Sequence, residues 1–228
     1  MLSSWGVAFE GVDVEARPER IGDLQRFGIP RVPATITGER FVHGWNPEAL
    51  AELVGVRYVD GGRLSPETLA RRLDLILAAT QRVIRQVPPD HLQMKAPDRD
   101  RSVRDLAFHV FRLSLAFREA REQGHFRQDF LDAKPSAGIE TGEDVARFGD
   151  TVRQRLGEWF AKPGWCDGEA STYYGKQTAH ELMERTTWHT AQHLRQLYWF
   201  LERMGVTPDA RLTDGDLAGL PFPKEVWS

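Results

Sequence analysis

Two histidines, His189 and His193, stand four residues apart within the helical pattern Met183-Glu-Arg-Thr-Thr-Trp-His-Thr-Ala-Gln-His-Leu-Arg-Gln-Leu-Tyr-Trp-Phe-Leu201. Four residues is about one helical turn, so both imidazoles leave the same face. At about 100° per residue that face also carries Leu182, Thr186, Leu197, Phe200 and Met204, the stripe that should meet a core. Imidazoles turned into an apolar interior need partners, because an unpaired buried polar group costs on the order of 1 to 3 kcal/mol. One shared divalent metal ion would satisfy both. Hydrogen bonds to Thr186, Gln196 or water are the alternative, and the pair by itself leaves both open.

A third imidazole weights the balance toward metal. His109 lies in Ser102-Val-Arg-Asp-Leu-Ala-Phe-His-Val-Phe-Arg-Leu-Ser-Leu-Ala-Phe117, on the edge of an apolar stripe made by Val103, Leu106, Val110, Leu113 and Phe117. From there it can reach the core-facing pair of a neighbouring helix. His180, nine residues before His189, is about half a turn out of phase, and His43, His91 and His125 fall in segments that read as strand end or loop.

The second half of the chain shows four long helical patterns. The first opens at Ser65-Pro66-Glu67, with serine as cap and proline at the first position, and runs to about Gln86 ahead of Pro88-Pro89. Its apolar positions are Leu69, Leu73, Ile76, Leu77, Val83 and Ile84. The second runs from about Ser102 to Glu122. A Gly-, Asp- and Pro-rich connection, residues 124 to 142, follows as the expected crossover between parallel neighbours. The third spans about Glu143 to Phe160 with Val145, Phe148, Val152, Leu156 and Trp159 on one face, and the fourth spans about Thr178 to Met204. Between the last two, Trp165 to Gly175 reads as a loop carrying Cys166, expected to be a buried and inert thiol, and Tyr173 and Tyr174, candidates for a pocket mouth. The tail from Thr207 is apolar enough at Leu217, Leu220, Phe222, Val226 and Trp227 to be expected over the bundle.

The first sixty residues have a different grammar. Residues 8 to 14 alternate as a short strand, Pro18 to Phe27 reads as a short helix closed by Gly28, Ala34 to Thr37 and Arg40 to His43 pair around Gly38-Glu39, and a further helix runs from Asn46-Pro47 to Leu53. Asp60-Gly61-Gly62 is the strong linker signal. The expected division is therefore a small α/β segment over residues 1–59, a linker over 60–63 and a helical bundle over 64–228.

In all, 228 residues with 41% hydrophobic and 28% charged side chains describe an ordinary globular chain. A net charge of −3 provides no basic footprint for nucleic acid. One cysteine excludes an internal disulfide and suits a reducing compartment, and neither a signal-peptide pattern nor an 18-residue apolar run is present. A cytoplasmic protein with a small-molecule partner, and no nucleic-acid or membrane partner, is the expectation.

His109 after Ser102-Val-Arg-Asp-Leu, the pair in Trp188-His189-Thr-Ala-Gln-His193, the following Gly205 and the ending Leu220-Pro-Phe-Pro-Lys-Glu-Val-Trp227 resemble the DinB/YfiT superfamily over roughly residues 64 to 228. The resemblance implies a four-helix bundle with one long crossover, often a homodimer, that holds a divalent metal through three histidines, by position His109, His189 and His193. The family's usual Trp-Ser before the first ligand helix is Arg101-Ser102 here. The segment Phe27-Gly-Ile-Pro-Arg-Val-Pro33-Ala-Thr-Ile with Gly44-Trp45 looks like the latter part of a glutaredoxin, which implies a cis proline at Pro33. No cysteine precedes Cys166, so this segment has no Cys-x-x-Cys for dithiol exchange.

Three neutral imidazoles without an inward carboxylate would leave an ion its full charge and open positions, the layout of a catalytic site. Glu184 and Asp105 project away from the ligand faces. Three imidazoles suit zinc, nickel, copper or iron, with zinc or nickel expected first. Such an ion can activate bound water or a bound thiol. The resemblance favours the thiol, since several family members are metal-dependent transferases or isomerases using a low-molecular-weight thiol. The leading expectation is a metal-dependent S-transferase acting on a small electrophile. The alternatives are a non-catalytic metal-binding protein, with the ion as staple or sensor, and a metallohydrolase. Arg185 and Gln192 flank the histidine stripe and, with Tyr173, are candidates for holding a substrate group, or else ordinary boundary residues.

Overall fold

Each of the four long helices starts on a hydroxyl side chain that accepts from the backbone N–H three residues on: Ser65 from Thr68, Ser102 from Asp105, Thr141 from Asp144 and Thr178 from Glu181. At Thr141 and Thr178 the acid at the third position returns the bond to the cap's own N–H, which completes a capping box. The helices so opened are α3 (Pro66–Gln86), α4 (Val103–Gln123), α6 (Gly142–Phe160) and α7 (Ala179–Arg203). The remaining named elements are α1 (Ile21–Gln25), β1 (Ala34–Thr37), β2 (Arg40–His43), α2 (Pro47–Val54), α5 (Asp129–Asp132), β3 (Glu169–Thr172) and β4 (Gly175–Thr178). The chain is mainly helical, with two small antiparallel sheets. The computed structural model describes residues 1–12, 14, 17–30, 32–58, 63–97, 99–127, 129–223 and 226–227, with Ser4 described by its backbone alone. Asp60-Gly61-Gly62, the expected linker, lies outside the described residues. Among the described residues no helix is long and apolar enough to cross a membrane.

Two compact units result, Leu64–Leu220 and Met1–Arg63 together with Pro221–Ser228. In the larger unit the four long helices pack side by side, α3 and α4 each lying against both α6 and α7. Their directions follow from side-chain contacts. Arg153 pairs with Asp74 at 2.7 Å and Arg85 with Glu143 at 2.8 Å, so α3 and α6 are antiparallel. Phe108 stacks on Phe148 and Phe117 lies beside Phe160, so α4 and α6 run the same way. Parallel neighbours cannot be joined by a tight turn, and the stretch between them, with α5 inside it, makes the long return.

The core is where the periodicity places it. Leu69, Leu73, Ile76, Leu77, Val83 and Ile84 of α3 are buried, as are Val103, Leu106, Val110, Leu113 and Phe117 of α4. Helix α4 buries more than that stripe, because Phe108, Phe111 and Leu115 are covered too. Each large apolar side chain so buried contributes about 1.5–3 kcal/mol. Two glycines let α6 approach closely: a Cβ at Gly142 would lie 2.4 Å from the Ile84 carbonyl oxygen, and one at Gly149 would lie 2.6 Å from Phe111. Gln81 spans this contact, donating from Nε2 to the Ala146 carbonyl at 2.8 Å and to Asp150 at 2.6 Å.

The hairpin β3–β4, in register from Glu169 with Thr178 to Thr172 with Gly175, stands where a loop was expected. It is a tertiary product: Ser171 exchanges backbone bonds with Gly124 and Phe126 at the end of α4, at 2.9 and 2.7 Å, and Arg121 donates to the carbonyls of Asp167 and Glu169.

In the smaller unit the expected hairpin is present with Ala34 opposite His43 and Thr37 opposite Arg40, and Asn46 caps α2 at 3.0 Å. The Val32–Pro33 peptide is cis. Leu24, Ile29, Trp45, Ala51 and Leu53 form its interior. The short strand expected over residues 8 to 14 does not form among the described residues, where Ala8–Val12 is irregular. With only β1 and β2 hydrogen-bonded to one another, that segment has no ladder to join, and alternation alone does not make a strand.

Candidate metal centre

Helices α4 and α7 run antiparallel, and this brings their histidines together. One nitrogen from each of His109, His189 and His193 forms a cluster with all three ligand atoms within 4.8 Å of one another. The ring centroids are 4.6 Å apart for His189 and His193, 5.1 Å for His109 and His193, and 6.0 Å for His109 and His189. His109 is buried, while His189 and His193 keep part of their residue surface.

Each of two rings is tethered on one side and bare on the other. His193 Nδ1 lies 2.7 Å from Gln196 Oε1, an oxygen that only accepts, so the proton sits on Nδ1 and Nε2 presents its lone pair. That Nε2 is buried and has no hydrogen-bond partner. His109 is bonded to the backbone of Leu131 in α5, and its Nδ1 is likewise buried without a partner. One ring nitrogen held by a protein acceptor and the other left free is how metal-binding histidines are oriented and kept in the right tautomer.

The protonation state agrees. Burial, followed by the neighbouring His193, pushes the imidazoles of His109 and His189 well below their ordinary value. Burial also lowers His193 to about 4, opposed by its bond to Gln196. All three are neutral near pH 7, with lone pairs available. The charged groups acting on them are guanidiniums, Arg101 on all three, Arg112 on His109 and Arg185 on His189.

The donor set suits a divalent cation of borderline softness. Nitrogens about 2.0–2.1 Å from a tetrahedral zinc stand about 3.4 Å apart, so a cluster whose atoms lie within 4.8 Å would close by at most about 1.4 Å, within reach of side-chain torsions. Neither Asp105 nor Glu184 belongs to the cluster. Asp105 accepts from Arg104 at 2.9 Å.

The remaining candidates separate. Arg185, one turn before His189, is only 7% exposed and donates from Nη2 to the Tyr173 hydroxyl at 3.1 Å. Its guanidinium also lies 5.0 Å from the Tyr174 ring and 5.4 Å from that of Phe126. Gln192 is buried as well, and its Oε1 accepts from Arg195 at 2.8 Å, pointing to a bracing role along the helix. Tyr174 donates to Gln177 at 3.1 Å, and burial pushes its phenol up to about 12. Cys166 is half-buried rather than buried, and a cation does stand near it, Arg121; desolvation nevertheless dominates and raises the thiol to about 11. His180 donates from Nε2 to the Leu64 carbonyl, 2.8 Å away, and takes no part in the cluster.

Leu131 is the residue that sequence reasoning missed. Its backbone carries the function, and no side-chain pattern marks it. Gln196, three residues after His193 on the same helix face, was expected as a partner in place of a metal; it bonds Nδ1 and leaves Nε2 without a partner. A cavity of about 750 Å³ lies within the smaller unit, lined by Phe9, Leu24, Val32, Ile36 and Leu53 among others, and includes none of the three histidines. Compared with protein-family models and with curated proteins, the chain matches none.

Proposed function

We propose that the chain is a DinB-like metal-dependent transferase that conjugates a low-molecular-weight thiol to a small electrophile, with His109, His189 and His193 as the metal ligands. The observation that carries the metal reading is the pair of buried, partnerless nitrogens, His109 Nδ1 and His193 Nε2, in one cluster with His189. Leaving two such lone pairs buried costs on the order of 1 to 3 kcal/mol each unless an ion takes them. A divalent ion held by three neutral imidazoles keeps its charge and open positions, and so lowers the pKa of a thiol bound there.

The protein's own groups do the rest. Leu131 and Gln196 hold two of the rings in the ligand tautomer, and the surrounding guanidiniums favour an anion over a neutral thiol. In the reaction the thiol sulfur forms a bond to the electrophilic carbon, the leaving group departs with the electron pair of the bond it breaks, and the thiol proton passes to water. The DinB resemblance of the histidine motifs supports thiol chemistry, as does the glutaredoxin-like pattern of the smaller unit. A homodimer acting on a small molecule in the cytoplasm, without nucleic acid or membrane, completes the proposal.

The test is elemental analysis of the purified chain, followed by assay of the zinc- and nickel-loaded forms with several small thiols and a chlorinated nitrobenzene. About one metal per chain with thiol consumption supports the transferase. Bound metal without turnover moves the assignment to a hydrolase or a structural ion, and no metal under any loading overturns the ligand assignment.

A further inference from the structure

A buried cation stands one helical turn before His189 of the candidate centre. Among the described residues Arg185 forms no ion pair, although it is 7% exposed. Three aromatic rings lie around its guanidinium, Phe126 at 5.4 Å, Tyr173 at 5.7 Å and Tyr174 at 5.0 Å. The Tyr173 and Tyr174 rings are perpendicular to one another, so no more than one of them lies flat on the guanidinium, and both phenols draw on its five N–H donors. The Tyr173 hydroxyl takes one of them at 3.1 Å.

The placement is specific. Arg185 precedes His189 by one helical turn and acts on its imidazole electrostatically. The β3–β4 turn brings Tyr173 and Tyr174 to it, and the segment that β3 pairs with brings Phe126. Three separate parts of the chain thus converge on one guanidinium whose charge acts on the His189 imidazole. Arg112, three residues after His109, adds to the positive field, although Glu119 pairs with it.

We infer that Arg185 is the recognition group for a carboxylate carried by the small molecule that comes to the three-histidine centre, with Tyr173 fixing the fork that receives it. The inference rests on the metal reading for its second half, since the carboxylate is what orients the rest of the molecule toward the ion. A guanidinium edge matches a carboxylate with two parallel hydrogen bonds, and a buried setting free of competing water strengthens both. The carboxylate belongs to the thiol or to the electrophile.

The test is calorimetric titration of the full chain, with and without Zn2+, using 3-mercaptopropionate and its neutral counterpart 3-mercapto-1-propanol. The zinc-loaded chain should bind the carboxylated thiol at least about tenfold more tightly than the alcohol. Arg185→Met should bring the two within about twofold while zinc stoichiometry stays unchanged; Arg185→Gln, which keeps a donor for Tyr173, takes its place if the first variant does not fold. A parallel comparison of 4-chloro-3-nitrobenzoate with chloronitrobenzene shows which reactant carries the group. Equal affinities within both pairs, or a preference that survives loss of Arg185, overturn the inference. Failure to bind zinc overturns the metal reading alone, because propionate binding by the metal-free chain, lost in Arg185→Met, still reports on the guanidinium.

Discussion

Two imidazoles tethered on one nitrogen and bare on the other make the sharpest predictions. His189→Ala should reduce bound metal from about one per chain to none by elemental analysis, and metal retained in that variant would remove His189 from the ligand set. Gln196→Leu leaves all three imidazoles in place but releases the His193 tautomer. It should weaken metal binding roughly 10- to 100-fold, read by competition with a chromophoric chelator, with the circular-dichroism spectrum unchanged. Cys166 gives a separate prediction. Its thiol is raised from 9.0 to about 11, so near pH 8 it holds about a hundredth of the thiolate expected at the ordinary value, and iodoacetamide should label it about a hundredfold more slowly than a free cysteine.

At the scale of elements, the centre depends on how closely the helices approach. Gly149→Ala would set a Cβ 2.6 Å from the Phe111 ring, which is fully buried and cannot retreat. A cost of about 1–3 kcal/mol in urea unfolding is expected, and a neutral effect would mean that α6 stands off further than described. Thr178→Ala removes the cap of the helix that carries His189 and His193 and should cost about 1 kcal/mol. The β3–β4 hairpin acts differently, since Ser171 ties it to the end of α4 while its turn delivers Tyr173 and Tyr174 to Arg185. The crossover also has a role beyond connection, because α5 within it places the Leu131 backbone against His109.

For the whole molecule, the lowered imidazoles link stability to pH. Each is neutral in the folded chain and protonates more readily when unfolded, so the unfolded chain binds more protons as pH falls. The stabilisation is complete above about 6.5 and is lost toward about 4 for His193. Metal-free protein should therefore lose stability between about pH 6.5 and 4 more steeply than His193→Gln, as measured by urea unfolding. If the cluster binds an ion that the unfolded chain does not, free metal at about a hundred times its Kd adds about 2.7 kcal/mol near pH 7, and chelation should lower the melting temperature accordingly.

Local rules made much of this legible from the chain alone. Caps, prolines and the 3.6-residue period depend on neighbours in sequence, and they placed the four long helices within a residue or two and put His189 and His193 on one inward face. The alternation over residues 8 to 14 misled because a strand needs a partner, which no local pattern supplies. Only the tertiary structure decided that α4 and α7 bring three imidazoles within 4.8 Å, that the Leu131 backbone meets His109, and that Phe126, Tyr173 and Tyr174 gather around Arg185, which makes no ion pair among the described residues. Those facts arise from contacts between residues far apart in the chain, whose geometry is set by packing rather than by spacing.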